Sequence, residues 1–397
     1  MKNNFSLLLL MSVLVVALVT QGFQCSSAEM TSARLYMQRS DWESAQKSLE
    51  KELANNPQNE EAWYLLGRVK SEKKDFAGMN GAFEKALSIS NAHGEEIQMT
   101  RLSFWSQYFN RGATYFSKGQ DSTQYFDRSV EAFETAIVIN PDSAATYKNL
   151  GFSYLAKGNA EEAIKPLQDV LKRENDAQAA KLLGEIYYDL GVRHRTAFEA
   201  LGSENMDSTE YRSALESLSE AIEYLKQASS WDPNNEDIAS VLMNSYMAAD
   251  RIGEAKEQFR KAVERNPGNK IYRYNYGVLL LKEKTYPKAI EHFQKAVDAD
   301  PEYENALYNL GVAYVNWGVE MREAAEAEAQ KKGRGVKVDE SYKEKFKAAL
   351  PPFDHVLDLR PDDAELWEQL GRVYANLNMQ AEARDAFDKA DKIRQGQ

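Results

Sequence analysis

Few residues in this 397-residue chain are of the types that carry out covalent or metal chemistry. The chain has one cysteine, Cys25, and four histidines, which are His93, His194, His292 and His355. The histidines are far apart, and no pair has the close spacing of a zinc-binding motif. The sequence also contains no glycine-rich phosphate loop and no serine between glycines of the nucleophile-elbow kind. We therefore expect a protein that is not an enzyme and that needs neither a cofactor nor a metal.

A second set of polar residues recurs at a fixed position. Four asparagines stand two residues before a glycine, and they are Asn110, Asn149, Asn275 and Asn309. An amide side chain both donates and accepts hydrogen bonds, so a row of such groups can pair with the extended backbone of a peptide. This chemistry requires secondary-structure elements that bring the asparagines to one face.

The glycines belong to a spacing that returns along the chain with a period of about 34 residues. At the carboxyl end it comprises Gly371, Tyr374, Ala383, Phe387 and Ala390. Small residues recur where two helices must approach closely, and aromatic or leucine side chains fill the space beside them. One such pair of helices is only half a core, so the pattern predicts helical hairpins that are stabilised by stacking on their neighbours.

About nine copies of the spacing occur, and this pattern resembles the tetratricopeptide repeat family over nearly everything after residue 26. The resemblance implies an all-α fold, a right-handed superhelical α-solenoid of about nine helical hairpins across residues 26–397. The predicted repeats are residues 26–59, 60–93, 105–143, 144–176, 177–235, 236–269, 270–303, 304–363 and 364–397. Such arrays carry a continuous concave surface that binds other proteins.

Three predicted repeats carry extra residues between their first and second helices. The third repeat has about five, the fifth about 25 and the eighth about 26. In the fifth, apolar residues keep helical spacing through Tyr211, Leu218 and Leu225, so the addition lengthens both helices. We expect a first helix over residues 178–201 with the tip at 202–208, and in the eighth repeat a tip at 332–341.

The first two dozen residues differ from the rest. Residues 5–19 form an apolar run of the length of a signal peptide, which is short for a membrane span. We expect residues 1–24 to be a signal peptide and the protein to be exported. Residues 22–25 resemble a bacterial lipoprotein signal, which implies that Cys25 is lipidated. The alternatives are ordinary cleavage after Ala28 and an uncleaved anchor.

The resemblance also implies a binding surface. In repeats of this family the position of the four asparagines faces the concave groove, together with the position before it. The predicted peptide-binding residues are Asn110, Asn149, Asn275, Asn309, Lys148, Lys181, Tyr64, Tyr274, Tyr308 and Arg372. The alternative is that these asparagines only bond to neighbouring repeats.

The net charge of −12 makes nucleic acid an improbable partner. We expect a non-enzymatic scaffold in the bacterial periplasm or outer membrane, which binds a protein or peptide partner and is held on the membrane by its lipid anchor. The alternative functions are a self-assembling structural module and a cell-wall or carbohydrate binder. The sequence leaves the oligomeric state open.

Overall fold

The computed structural model describes residues 27–201, 208–333 and 337–396, which form eighteen α-helices and no β-strand. This confirms the predicted all-α fold. The helices are α1 (Ala28–Gln38), α2 (Trp42–Asn55), α3 (Glu60–Glu72), α4 (Phe76–Ile89), α5 (Gly94–Gly119), α6 (Gln124–Ile139), α7 (Ala144–Ala156), α8 (Ala160–Leu171), α9 (Ala177–Ala200), α10 (Thr209–Trp231), α11 (Glu236–Ala248), α12 (Ile252–Arg265), α13 (Lys270–Lys282), α14 (Tyr286–Ala299), α15 (Glu304–Lys332), α16 (Lys343–Leu359), α17 (Ala364–Asn376) and α18 (Gln380–Arg394).

The helix boundaries follow from side chains that satisfy the free backbone groups at helix ends. Asn59 caps α3 by accepting a hydrogen bond from the Ala62 amide at 3.1 Å, and Asp363 caps α17 through the Leu366 amide at 3.0 Å. Short hairpin turns contain one residue with positive φ, as at Lys74 (61°) and Gly158 (85°). This left-handed residue reverses the chain within the few residues between the paired helices.

Consecutive helices pair as hairpins, α1 with α2 through α17 with α18. The two helices of a hairpin touch at the repeated glycine. A Cβ atom added at Gly67 would lie 2.4 Å from the Phe83 ring, and one added at Gly311 would lie 2.4 Å from the Phe353 ring. No side chain fits at these points, which explains why glycine recurs at this position.

The sixth hairpin departs from this rule. Met243 occupies the position that holds glycine in most other repeats and is buried at 5% exposure, and Phe259 is the corresponding residue of the second helix. Helices α11 and α12 pack less closely than the two helices of any other hairpin in the described chain. A side chain between the helices accounts for this separation.

The helices divide into two compact units, residues 1–173 and 174–397. In the first unit, Leu49, Phe83 and Ile97 belong to one buried apolar cluster. In the second unit, Phe346 and Phe353 lie in a cluster with Leu366, Leu370 and neighbouring side chains. Each unit therefore has its own buried core.

The long hairpins are helical, as their apolar spacing indicated. Helix α9 spans Ala177–Ala200 and α10 spans Thr209–Trp231, while residues 202–207 of the predicted tip lie outside the described residues. Residues 334–336 of the tip in the eighth repeat also lie outside them. Helix α5 begins at Gly94, before the predicted start of the third repeat at 105, because Ile97 joins the core of the first unit.

Residues 1–26, which include Cys25 and the expected signal peptide, lie outside the described residues. Among the helices of residues 27–201, 208–333 and 337–396, none has both the length and the apolar character needed to cross a membrane.

Candidate functional site

The four asparagines lie on the first helices of their hairpins in different environments. Asn110 on α5 is exposed, Asn149 on α7 and Asn309 on α15 are half-buried, and Asn275 on α13 is buried at 5% exposure. In the last three, the amide nitrogen donates to the carbonyl four residues earlier, at 2.8, 3.0 and 2.9 Å respectively. These bonds orient the amides of Asn149 and Asn309, whose oxygens keep their acceptor capacity.

One of the four asparagines, Asn309, bonds to the first helix of the preceding hairpin. The Asn309 amide nitrogen lies 3.3 Å from the Tyr274 hydroxyl, to which it donates, and the Tyr274 ring packs 5.4 Å from that of Tyr303. Burial raises the pKa of Tyr274, although the bond to Asn309 opposes the shift. Tyr308 packs 5.9 Å from the ring of Phe353, and burial raises its pKa too. Tyr274 therefore joins two neighbouring repeats, whereas the Tyr308 ring packs within its own hairpin.

Tyr64 lies inside the array. Its ring is 8% exposed and stacks on the His93 ring at 4.1 Å, and His93 Nδ1 lies 2.9 Å from the Glu60 carboxylate. As placed, Tyr64 and Asn275 present little surface to a ligand, so the predicted groove contact there requires each side chain to move outward.

The three predicted cationic residues all have intramolecular neighbours. The Lys148 ammonium lies 5.9 Å from the centre of the Phe152 ring. The Arg372 guanidinium is 60% exposed and pairs with Glu368 at 2.6 Å. The Arg372 charge stays at the surface, where an ion pair contributes about 0–1 kcal/mol and is easily exchanged for a ligand.

Lys181 links two first helices. Its ammonium lies 3.1 Å from the Glu185 carboxylate on its own helix α9 and 3.5 Å from that of Asp237 on α11. Burial acts to lower the pKa of Lys181, but the two carboxylates outweigh it and the pKa is raised. Lys181 is therefore charged at neutral pH.

The structure brings Tyr274 and Asn309 into contact and does not join the ten predicted residues into one cavity. Sequence reasoning missed the cluster of Glu60, Tyr64 and His93, although Glu60 and His93 stand about one repeat period apart, a separation that places residues in neighbouring hairpins. It also missed the open sixth hairpin, which the methionine in place of glycine at 243 signals. Within the described ranges, no cluster of His, Cys, Asp or Glu residues is arranged to hold a metal ion.

Models of the tetratricopeptide repeat match residues 30–78, 242–304 and 339–397, residues 126–186, and residues 210–235, which together make up more than half of the chain. The chain belongs to the tetratricopeptide repeat family. Much of the extended helices α5 and α15, and the segment joining α9 to α10, lie between the matched segments, because these parts depart from the regular repeat length.

Among curated proteins, the chain is 20% identical over 224 residues to the RNA polymerase-associated protein CTR9 of Caenorhabditis elegans, covering 55% of this chain and 17% of that protein. It is 26% identical over 189 residues to the protein CTR9 homolog of Arabidopsis thaliana, covering 42% and 16%. The chain thus spans less than a fifth of the length of these relatives.

Two solved structures are similar at low identity. A crystal structure of MamA is 20% identical, with 54% of this chain and 92% of that chain covered and a TM-score of 0.34. The structure of YrrB, described as a TPR protein with an unusual peptide-binding site, is 22% identical, with 60% and 96% covered and a TM-score of 0.34. At this level the likeness does not bear on function.

Proposed function

We propose that this chain is a protein-interaction scaffold of the bacterial cell envelope, which holds an extended segment of a partner against the first helices of its repeats. Its membership of the tetratricopeptide repeat family supports an interaction role, because stacked helical repeats build long surfaces that suit docking.

The observation that carries the proposal is that Asn110 and Asn149 have unused hydrogen-bonding groups. In the described part of the chain, the Asn110 amide has no partner, and Asn149 uses only its nitrogen, which donates to the Ala145 carbonyl. A peptide N–H can donate to either amide oxygen without breaking a bond within the protein. Backbone pairing of this kind holds peptides with little sequence preference.

The proposal is tested with the partner of the native envelope, identified by photo-crosslinking from a benzophenone amino acid at position 110 or 149. The control position is 161, which is exposed on the second helix α8. The double variant Asn110→Ala and Asn149→Ala is expected to bind that partner about tenfold more weakly, because two hydrogen bonds of about 0.5–1.5 kcal/mol each are lost. Equal crosslinking from position 161, or unchanged affinity of the variant, would refute docking on the first helices.

The envelope location is a separate part of the proposal and rests on residues 1–25 of the sequence. We expect the mature chain to begin at an acylated Cys25. Mass spectrometry of the mature amino terminus distinguishes this product from a chain cleaved after Ala28, which would begin at an unmodified Glu29.

One surface favours self-assembly as a second candidate function. Met99 and Leu102 on α5 are 71% and 59% exposed, and with Ile139 they line a cleft of about 510 Å³, while Val138 is 45% exposed. Apolar patches of this kind mark interaction sites on soluble proteins. Light scattering over a range of concentrations tests this candidate, since a monomer at every concentration excludes it.

A further inference from the structure

A cleft of about 340 Å³ lies between the second helices α10 and α12, away from the predicted groove residues. Its wall from α10 includes Lys226 and Ser229, and its wall from α12 includes Lys261 and Arg265. This position follows from the open sixth hairpin, because Met243 keeps α12 from closing on α11. The volume is at the lower end of the range of about 300–1,000 Å³ found for ligand pockets.

The cleft is positively charged in a protein whose net charge is −12. Three cations line it, and none of the described residues that line it carries a carboxylate. Lys226 pairs with Glu223 at 2.9 Å and Lys261 with Glu257 at 3.3 Å, each within its own helix. Such surface pairs are weak, so both ammonium groups remain able to turn to a ligand.

Three side chains on α12 and at its end, one of them the cation Arg265, offer unused hydrogen-bonding groups. In the described part of the chain, the Arg265 guanidinium and the amides of Gln258 and Asn266 have no side-chain partner, and all three residues line the cleft. The guanidinium donates in a planar fork that matches a carboxylate. Each amide both donates and accepts, as the backbone of an extended peptide does.

The inner part of the cleft is apolar, and hydrogen bonds join the helices on either side of it. Leu242 and Phe259 are each 1% exposed at its floor. At one side, the Tyr272 hydroxyl on α13 donates to the Ser229 carbonyl at 3.1 Å and lies 3.2 Å from the Ser229 hydroxyl. These bonds tie α13 to α10, so the cleft keeps its shape without a ligand.

We propose that this cleft is a second protein-binding site, which takes an acidic peptide segment with one apolar side chain inserted toward Phe259. The carboxylates of the segment pair with Lys261 and Arg265, and its backbone bonds to Gln258 and Asn266. The site is independent of the groove on the first helices. An acidic segment is repelled by most of this acidic chain, so the local charge directs it to this face.

The test uses the full chain and a fluorescein-labelled peptide of six glutamates with one central phenylalanine. Fluorescence anisotropy measures its affinity for the unaltered chain and for the double variant Lys261→Gln and Arg265→Gln. We expect the double variant to bind at least about tenfold more weakly, since it loses two charge-assisted contacts with the glutamates of the probe. Circular dichroism establishes that each variant is folded.

Two further variants distinguish binding in the cleft from nonspecific attraction between the acidic probe and positive charges elsewhere on the chain. The matched control, Lys282→Gln with Lys288→Gln, removes the same charge from residues that do not line the cleft. We expect its affinity for the probe to stay within about twofold of that of the unaltered chain, because exposed charges are screened beyond roughly 8 Å at physiological salt. Ala262→Trp fills the cleft without changing the charge and is expected to abolish binding.

The proposal is overturned if the probe does not bind, if the two charge variants weaken binding equally, or if Ala262→Trp has no effect. It is also overturned if a peptide of six lysines, or a single-stranded oligonucleotide of the same charge as the probe, binds as tightly as the acidic peptide. The Asn110→Ala and Asn149→Ala variant is expected to keep full affinity for the probe. Failure of the proposed groove function and failure of the proposed cleft site therefore give different results.

Discussion

Single residues determine how closely the helices of each hairpin approach. The repeated glycines face an aromatic or leucine side chain of the second helix, as Gly184 faces Leu225, where an added Cβ would lie 2.4 Å away. These glycines are therefore required by packing, although glycine within a helix costs about 0.5–1 kcal/mol relative to alanine. Two glycines of the second helices, Gly81 on α4 and Gly253 on α12, have nothing within 4 Å of an added Cβ.

A pair of glycine substitutions tests this distinction. In Gly67→Ala the new methyl group meets Phe83, which is fully buried, so we expect the free energy of unfolding to fall by about 1–2 kcal/mol. Gly81→Ala is the control, since nothing lies within 4 Å of its added Cβ in helix α4, and it should raise stability by about 0.5–1 kcal/mol. Urea denaturation measures both, and a Gly67→Ala variant as stable as the control would contradict the packing argument.

At the scale of the helices, the extended hairpins lengthen the array and keep the close glycine contact between paired helices. Helix α9 carries a second glycine, Gly191, whose added Cβ would lie 2.6 Å from Leu218 on α10. The extension thus repeats the close helix contact that Gly184 makes with Leu225. It is a continuation of the hairpin core, and we expect it to be rigid.

Truncation of the buried leucine tests this rigidity. Leu218→Ala removes a fully buried side chain, so we expect it to destabilise the α9–α10 hairpin by about 2–5 kcal/mol. Leu215→Ala, at a half-buried position three residues earlier, should cost clearly less. Hydrogen exchange of the backbone amides in α9 and α10 reports the local stability, and equal protection in both variants would argue against a packed extension.

Over the whole chain, the two compact units each contain buried clusters of their own. Ile97 and Ile139 are buried in the first unit and Phe293 and Phe346 in the second. Because each repeat is stabilised mainly by its neighbours, a set of consecutive repeats can fold without the rest of the array.

We therefore expect fragments 27–173 and 174–397 to fold when each is produced alone. Each should show an α-helical circular dichroism spectrum and a cooperative thermal transition. A fragment that lacks helical structure or melts without a transition would show that its core depends on the other unit. The fragment 174–397 should also retain the acidic-peptide site, since every residue lining that cleft lies within it.

The sequence by itself determined the hairpins, because their period and their small residues are local and repeat often. Even the long fifth hairpin was predicted within one residue at its start, since helical spacing persists through Tyr211, Leu218 and Leu225. Only the tertiary structure decided which side chains at equivalent positions are buried, as Asn275 is and Asn110 is not. It also decided that a cationic cleft lies beside α12. Burial and charge at a surface depend on neighbouring helices from other repeats, and a pattern within one repeat does not contain that information.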